Sequence, residues 1–497
     1  MNTNTLKFCS AGMFALFLVG CTVGPNYKSP KTKVPENFVN SRPAADTEMV
    51  AKWWTTLQDP MLDSLIDRAV RSNLDLRFAE ARVREARAQR GVVRGDLFPT
   101  LNASASYQRS RASKNIGVPQ GSSGSSNAVE GDLYQAGFDA SWEIDVFGGI
   151  RREVEAANAD LSAEIENRRN VLVTLLAEVA RNYVEVRASQ RQITIAQANL
   201  KAQQETLDLT RVRFNAGLVS DLDVARAEAL VQTTASQIPV LQISARQSIH
   251  LLSVLLGQQP NALVQELTPE TAIPASPREV PVGLPSELLR RRPDIRRAER
   301  QVAAATARIG VATADLFPKF SLTGALGLGS SKFSSLGNSG SKFWSIIPGV
   351  SLPIFNFGSI RSNIAVQNAR EEQAFVTYEQ TVLTSLREVE DALVAFSEDQ
   401  TRRQTLSSAV AANRRAVDLA NQLYKQGLTD FLSVLQAQRD LFASEDALIQ
   451  SDRSVTADYV AIYKALGGGW ELETAAQPVP VKGKAGERSL DVTSSKK

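Results

Sequence analysis

Two long stretches of the chain place an apolar residue at every seventh position. The first series runs from Leu172 to Phe214 without exception, and the second runs from Val382 to Tyr424 with Arg403 as its single interruption. A strict repeat of seven residues is typical of α-helices that pack side by side and supercoil with a left hand. The pattern predicts a mainly α-helical protein built on coiled coils.

The predicted helices are unusually long. The first extends from Ile150 to Phe214, which spans 65 residues and about 98 Å at the rise of an α-helix. After a turn, each helix is followed by a returning segment with the same period, Val224 to Leu252 and Val434 to Ile462. Rods of this length indicate a tube or a stalk rather than a compact domain.

Shorter segments alternate with a period of two and predict β-strands. Residues 138–146 alternate apolar side chains with polar ones that include Asp139, Glu143 and Asp145. A second strand candidate precedes this one, and the second half of the chain repeats the pair, so we expect hairpins at about 100–147 and 318–357. Each hairpin alone fits a soluble sheet equally well, but no helix is patterned to cover the four strands.

The two halves of the chain repeat one another. Phe147 to Arg151 matches Phe357 to Arg361 at an offset of 210 residues, and the Leu-Phe-Pro turn at 97–99 recurs at 316–318 at an offset of 219. The difference lies in a longer Ser/Gly-rich loop in the first copy, between residues 110 and 131. The duplication predicts two equivalent units, each with a hairpin and long helices.

Composition narrows the possible functions. Lys and Arg total 56 against 53 Asp and Glu, a formal net charge of +3 that gives no basic excess for nucleic acid. His250 is the single histidine, and Cys9 and Cys21 are the only cysteines, too few for a zinc site built on His and Cys; a nucleophile–histidine relay would have to use His250. We expect no enzymatic activity, no metal, no cofactor and no nucleic-acid partner.

The start of the chain predicts export. The apolar run Phe8 to Val19 is too short to span a bilayer as a helix and is typical of a secretory signal. Leu18-Val19-Gly20-Cys21 resembles the lipobox of bacterial lipoproteins, which implies cleavage before Cys21 and lipidation of its thiol with diacylglycerol and palmitate. Thr22, in place of Asp, is typical of lipoproteins that pass to the outer membrane.

Pro, Gly and Ser clusters complete the domain prediction. We expect a signal peptide (1–20), a lipidated extended segment (21–58), a first repeat (59–256), a Pro-rich linker (257–284), a second repeat (285–466) and a disordered tail (467–497).

Beyond the signal, no apolar run is long enough for a transmembrane helix, so any membrane crossing would use the strands. Four strands cannot close a barrel alone, and the eight of a dimer would be filled by their own side chains. Twelve strands from a trimer leave a lumen. We therefore expect a homotrimer with a twelve-stranded outer-membrane β-barrel, in which Asp139, Glu143 and Asp145 line water and the loop 110–131 faces the cell exterior.

The chain resembles the TolC-like outer-membrane factors of the lipoprotein type, the NodT-like channels of RND efflux systems. The resemblance spans about residues 21–469 and rests on Cys21 to Tyr27, Trp53-Trp54, the two Leu-Phe-Pro turns and the segment Gly283 to Asp294. It implies a homotrimer whose barrel continues into a long periplasmic α-helical coiled-coil barrel, closed at its inner tip. It also implies partnership with a periplasmic membrane-fusion adaptor and an inner-membrane pump, and passive, gated export of drugs and toxic compounds.

The resemblance assigns roles at the far end of the helices. It places the periplasmic gate at Leu432, Gln436 and Arg439, although many relatives carry an acid at the position of Gln436. Further charge near the gate would come from Asp221, Asp223 and Asp430, and the turns with Gly217, Leu218, Gly427 and Leu428 are expected to contact the adaptor.

Plainer interpretations of these residues stay open. Leu432 would also suit the core of a coiled coil, and Gln436 and Arg439 a solvated face. Tyr424 and Phe214 lie on the heptad series, so core packing is their expected role, with a clasp between helices as the alternative. The run Arg290 to Arg292 is expected to be a solvated helix start.

Three other functions remain possible from the sequence. The chain could be the exit duct of a type I protein secretion system, part of a metal-ion efflux pump, or a purely structural periplasmic coiled coil. The single histidine and four methionines offer no track of soft ligands for metal ions. The amphipathic strands are not explained by a purely structural role.

Overall fold

The structure is a computed structural model that describes residues 22–36, 38, 51–111, 130–280 and 285–471. Its helices are α1 (Pro60–Ser72), α2 (Leu74–Gly95), α3 (Gly149–Asn215), α4 (Asp221–Leu255), α5 (Val264–Leu267), α6 (Pro285–Arg291), α7 (Pro293–Ala314), α8 (Ser359–Lys425) and α9 (Phe431–Ala465). Its strands are β1 (Thr100–Arg111), β2 (Glu130–Ile144), β3 (Lys319–Ser330) and β4 (Lys342–Ser351). The predicted signal peptide, Cys21, residues 112–129 of the long loop and residues 472–497 of the predicted tail lie outside the described residues.

The predicted long helices are present. Helices α3 and α8 each contain 67 residues, about 100 Å of helix, and each turns back into a 35-residue partner, α4 or α9. Leu172, Val179 and Val186 of the heptad series are fully buried, because they face the neighbouring helices. Among the described residues, no helix combines the length and the apolar character needed to cross a membrane.

The helices of one chain form a wall. In the half that carries the sheet, the neighbours follow the order α2, α3, α7, α8; in the other half, the order is α4, α3, α9, α8. Helix α3 has neighbours on both sides and buries 24 residues, whereas its repeat partner α8 buries 9. One side of the wall therefore ends in α2 and α4, and the other side ends in α8.

The four strands form one antiparallel sheet in sequence order. The register joins Leu101, Ala140, Gly324 and Ile346 in one cross-strand row, and Ala103, Phe138, Leu326 and Trp344 in another on the same face. The intervening row contains Asn102, Asp139, Ala325 and Ser345. Because side chains alternate along each strand, the sheet has one largely apolar face and one largely polar face.

Asp145 differs from its predicted role as a lumen-facing strand residue. It lies beyond the end of β2, where its carboxylate accepts hydrogen bonds from the backbone N–H groups of Ile150 and Arg151 and from Nε of Arg151. These contacts satisfy the free N–H groups at the start of α3. Asp145 therefore fixes the junction between strand and helix.

Two separate apolar clusters hold the helices together. The larger lies where α1, α3, α7, α8 and α9 meet and includes Trp53, which stacks on Tyr463 with ring centroids 5.6 Å apart. The smaller lies near the α3–α4 and α8–α9 turns. Between them, polar contacts also join the helices: Glu445 accepts hydrogen bonds from Asn199 at 2.9 Å and Arg414 at 2.6 Å.

The N-terminal residues 22–36, here called the strap, contain no helix or strand and contact both repeats: Arg152 on α3 donates to the Val23 carbonyl and to Asn26. The hydroxyl of Tyr27 donates to Glu299 on α7 at 2.8 Å. Gly24 lies against Gly310, where a Cβ on Gly24 would come within 2.5 Å of the Gly310 Cα. The strap thus covers one face of α7.

Residues 257–263 of the linker form turns that lead into the single turn of α5, and residues 268–280 contain no further helix or strand. The linker is held by Arg187, which is fully buried and donates hydrogen bonds to Gln190 and to the carbonyls of Leu267 and Pro269. The backbone of the linker is therefore paired with side chains of α3.

The arginine run before α7 is solvated only in part: Arg290 is exposed and Arg291 is half-buried beside Glu471. Arg292 is buried, pairs with Asp294 and Glu388, and donates to the carbonyl of Ala465 at 2.8 Å. A buried guanidinium requires such partners, and the fold supplies them from three segments.

The ordered chain extends beyond the predicted boundary at residue 467. Trp470 lies between two guanidinium groups, 4.5 Å from that of Arg169 and 5.6 Å from that of Arg296, and its indole N–H donates to the Arg291 carbonyl. These cation–π contacts hold Trp470 between α3 of the first repeat and α7 of the second.

Candidate functional site at the helical tips

The turns that end the two long helices have the same geometry. In each, a glycine adopts the left-handed conformation, Gly217 at φ 72° and Gly427 at φ 76°. The following leucine N–H reaches back five residues, from Leu218 to the Arg213 carbonyl and from Leu428 to the Leu423 carbonyl. This is the Schellman arrangement, which satisfies the last carbonyls of a helix and favours glycine.

The turns present apolar side chains to the outside. Leu218 is 65% exposed and Leu428 is 70% exposed. Because exposed leucines cost free energy in water, their presence at both tips is compatible with the predicted adaptor contact.

The three acidic residues near the tips have different local roles. Asp223 accepts hydrogen bonds from the backbone N–H and the hydroxyl of Ser220, which starts α4. Asp430 starts α9 and accepts from the Ser433 hydroxyl and backbone N–H, and these two hydrogen bonds hold the pKa of Asp430 below its usual value. Asp221 is exposed at the first turn of α4. Asp223 and Asp430 are therefore capping residues, and ionised Asp430 adds negative charge to the tip.

Tyr424 is buried at the tip, as its heptad position predicts, and is also clasped. The guanidinium of Arg213 lies 4.5 Å from the centre of the Tyr424 ring, and its Nη1 donates to the Tyr424 carbonyl. The Tyr424 ring also packs on Phe431 at 5.8 Å. This cluster joins the end of α3 to the α8–α9 turn.

Phe214 was predicted to pack in the core and does not. It is 41% exposed, because α3 is in its last turn here and the tip cluster forms around Tyr424. The heptad pattern predicts burial along the length of the long helices but not in the last turn of α3.

The predicted gate residues share one exposed face of α9. Leu432 is 47% exposed, and Gln436 and Arg439 are exposed at the next turns, whereas Val434 and Leu435 between them are buried. Spacings of four and three residues place the three on one side of the helix. Within one chain, Leu432 is therefore not a core residue of the coiled coil.

Nothing in the sequence indicated that two residues, Arg213 and Gln438, take part in packing at this site. Arg213 appears as one of many charges in α3, and Gln438 as one of several amides in α9. Gln438 is buried and its side chain donates to the Thr206 hydroxyl at 2.8 Å, across 232 residues. Their role depends on the packing of the two hairpins, which a repeat pattern does not specify.

Within the described ranges, no group of three or more His, Cys, Asp and Glu side chains could hold a metal ion. The tips consist of exposed apolar turns, acidic residues that cap the helices, and a face of α9 with Leu432 and two polar side chains.

Comparison with known proteins connects this geometry to a family. The family model described as "Outer membrane efflux protein" matches residues 65–258 and 284–468, one copy for each repeat. The solvent efflux pump outer membrane protein SrpC of Pseudomonas putida is 35% identical over 94% of this chain and 99% of its own length. The cation efflux system protein CusC of Escherichia coli O6:H1 is 33% identical over 94% of this chain and 98% of its length.

The fold is also that of a solved channel. The structure of the outer-membrane channel OprN superposes with a TM-score of 0.84 and 38% identity, covering 91% of this chain and all of that one. The predicted resemblance, mainly helical fold and outer-membrane location with a periplasmic helical part are thereby confirmed. The chain belongs to the outer membrane efflux protein family and is a channel of an efflux pump, not an enzyme.

Proposed function

We propose that three copies of the chain close into one channel. The observation that carries this proposal is that sheet and helical wall end on the same two sides. Among the described strands, β1 and β4 each pair with one neighbour only. Strand β1 follows α2 at one side, and β4 precedes α8 at the other.

The helices at these two sides expose apolar residues. On one side they are Leu74, Phe78 and Val92 of α2 and Val240, Ile243, Leu251 and Val254 of α4; on the other they are Val376, Leu383, Val394 and Leu419 of α8. Contact of one side with the other is a head-to-tail interface, which generates a closed ring when its rotation closes. Three chains bring twelve strands, enough for a lumen.

The two faces of the sheet fit a membrane barrel. The apolar face, with Phe138, Leu326 and Trp344, would contact lipid, and the polar face, with Asp139 and Asn102, would line water. In a closed ring every edge strand gains a partner, which removes the unpaired N–H and C=O groups that lipid does not tolerate.

The proposed ring is tested by measuring the mass of the assembly and by substituting one residue at the edge of the wall. Detergent-purified wild-type protein is expected to have the mass of three chains by light scattering. Phe78→Glu, at the 63%-exposed Phe78 of α2, places a charge in the apolar seam and is expected to shift the protein to single chains. Arg87→Glu, nine residues further along the same helix and therefore on its opposite, exposed face, is the matched control. A trimer that tolerates Phe78→Glu as well as Arg87→Glu would contradict this seam.

At the tips, we propose that Leu432, Gln436 and Arg439 of three chains meet around the channel axis and form the periplasmic gate. Their exposure in one chain supports this, because a face that is open in the single chain is free to meet its copies. The exposed Leu218 and Leu428 would contact a periplasmic adaptor, which links the channel to an inner-membrane pump of the RND type.

The proposed cargo is small organic molecules. The efflux relative SrpC is named for solvents and CusC for cations, so both classes must be compared. Four methionines and one histidine favour organic cargo over soft metal ions. A deletion strain is expected to become sensitive to solvents and antibiotics; sensitivity to copper or silver alone would favour cation efflux, and loss of a secreted protein would favour type I secretion.

A further inference from the structure

The two short helices that lead to the sheet, α2 and α7, are equivalent in the repeat but are covered differently. Residues 219 apart correspond, so Gln89 and Val93 of α2 match Arg308 and Ala312 of α7. All four line one cavity of about 370 Å³ on the inside of the wall. The two helices thus turn the same face inward, and their opposite faces also correspond.

On α7 the outer face is covered by the strap. Glu299 accepts hydrogen bonds from Tyr27 at 2.8 Å and from Ser29 at 3.1 Å, and Gly310 touches Gly24. The matching residues on α2 are Glu80 and Gly91. No strap residue among those described contacts them.

The outer face of α2 carries arginines instead. Arg77, Arg84, Arg87 and Arg94 are spaced by seven, three and seven residues, which puts them in one stripe with Glu80 and Gly91. We call these four residues the arginine stripe. All four are exposed, and within the described part of the chain no hydrogen bond or ion pair engages the side chains of Arg84, Arg87 and Arg94.

The upper end of the stripe lies at the level of the membrane surface. Val23 donates a backbone hydrogen bond to Phe147, and Thr22 lies against Gly148, at the junction of sheet and helix. An acylated Cys21 would precede Thr22, so the lipid surface is within about 4–8 Å of it. Arg94 is one turn nearer the sheet than Gly91, which matches the Gly310 contacted by Gly24. Arg84 lies about 15 Å further from the membrane than Arg94.

We propose that the arginine stripe binds the headgroups of anionic phospholipids in the periplasmic leaflet of the outer membrane. Guanidinium groups bind phosphate oxygens with two parallel hydrogen bonds, and clusters of arginine beside a membrane attract anionic lipid. A strap from a second copy is a poor occupant, because Lys28, Lys31 and Lys33 would face the arginines. The inference rests on the lipid anchor that the sequence predicts at Cys21, which sets the height of the stripe relative to the membrane.

The test is lipid binding by the intact purified protein. Mature protein in a neutral detergent is titrated with phosphatidylglycerol or phosphatidylcholine, and bound lipids are counted by native mass spectrometry. The triple variant Arg84→Gln/Arg87→Gln/Arg94→Gln is expected to bind phosphatidylglycerol at least tenfold more weakly, with phosphatidylcholine unchanged. The corresponding triple Lys variant keeps the charge and is expected to retain most of the binding.

A matched control changes three arginines on the inside of the wall, Arg82, Arg90 and Arg370, to Gln. Equal loss in this control, or unchanged phosphatidylglycerol binding in the stripe variant, would overturn the proposal. Competition by millimolar inorganic phosphate would identify a general anion site and would also overturn it. Drug export and trimer mass are measured in parallel, so failure of the channel proposal is distinguishable from failure of lipid binding.

Discussion

At the scale of single residues, Leu432 provides a direct test of the gate. If three copies meet at the axis, Leu432→Cys should form a disulfide between two chains, since pairing requires Cα atoms within about 7 Å. The mature chain offers a clean background, because its remaining native cysteine, Cys21, is predicted to be acylated.

Oxidation of Leu432→Cys is expected to give a covalent dimer on a non-reducing gel and to lower export, and reductant should restore both. Gln438→Cys, at a position buried within the chain, is the control and should stay monomeric. A Leu432→Cys protein that remains monomeric at normal abundance places the constriction elsewhere.

A second residue predicts a dependence on pH. Burial, and then the neighbouring Asp399, raises the pKa of Asp458 to about 7. Because the folded protein holds this proton more tightly than the unfolded chain, the associated stability is complete below about pH 4 and is lost as the pH rises through 7.

Asp458→Asn removes the ionisation and is expected to stabilise the protein at pH 8 by about 1–2 kcal/mol, after discounting for partial exposure, with less gain at pH 5. Thermal unfolding at the two pH values measures this. Asp452→Asn, which removes the ion pair with Arg403, is the contrasting variant and should not stabilise. An Asp458→Asn gain that does not change with pH contradicts the assignment.

At the scale of elements, the tip cluster should act as a unit. Arg213→Ala removes the guanidinium from the face of Tyr424, a contact worth about 1–2 kcal/mol when partly desolvated, and is expected to loosen the α8–α9 turn. Faster hydrogen exchange over residues 424–431 and greater sensitivity of cells to large antibiotics are the measurements. Arg211→Ala is the control, since Arg211 makes only exposed pairs with Asp208 and Glu228. Equal effects of the two variants would show that the contact with Tyr424 is not responsible.

The long β-hairpin loop gives a topology test at the same scale. Residues 112–129 connect β1 to β2, and the helices leave the sheet on the other side, so the loop is expected outside the cell. An epitope inserted after Gly124 should be reached by antibody on intact cells. Detection only after the outer membrane is opened would invert the orientation.

The sequence predicted the helices and strands better than it predicted which side chains contact one another. Periods of seven and two identified the rods and hairpins, because each reflects burial of one face. Asp145 was misplaced because a pattern of alternation continues past the last paired residue, and Arg292 because a run of charges does not reveal partners that are 96 and 173 residues away. The pairing of hairpins at the tips likewise depends on tertiary packing.

At the scale of the whole molecule, the anchor and the assembly should be separable. Cys21→Ser is expected to abolish metabolic labelling with palmitate, because the acylated thiol is gone. The trimer mass should persist, since closure of twelve strands does not involve the lipid. Labelled lipid on the mutant protein would contradict the lipobox interpretation. Palmitate labelling of a Cys21→Ala variant at the wild-type level would contradict it in the same way.

The positions of the two apolar clusters determine how far the helical tips would move if the helices tilted. The large cluster, with Trp53 stacked on Tyr463 and Trp470 held between two arginines, is the point about which α4 and α9 would tilt, here called the fulcrum. Below it, α4 and α9 are arms of 35 residues. A tilt of about 0.1 radian at the fulcrum moves the end of such an arm, about 50 Å long, by about 5 Å, more than the width of a leucine side chain. If the tips form the proposed gate, a small torque applied to them would be converted into a displacement large enough to change its aperture.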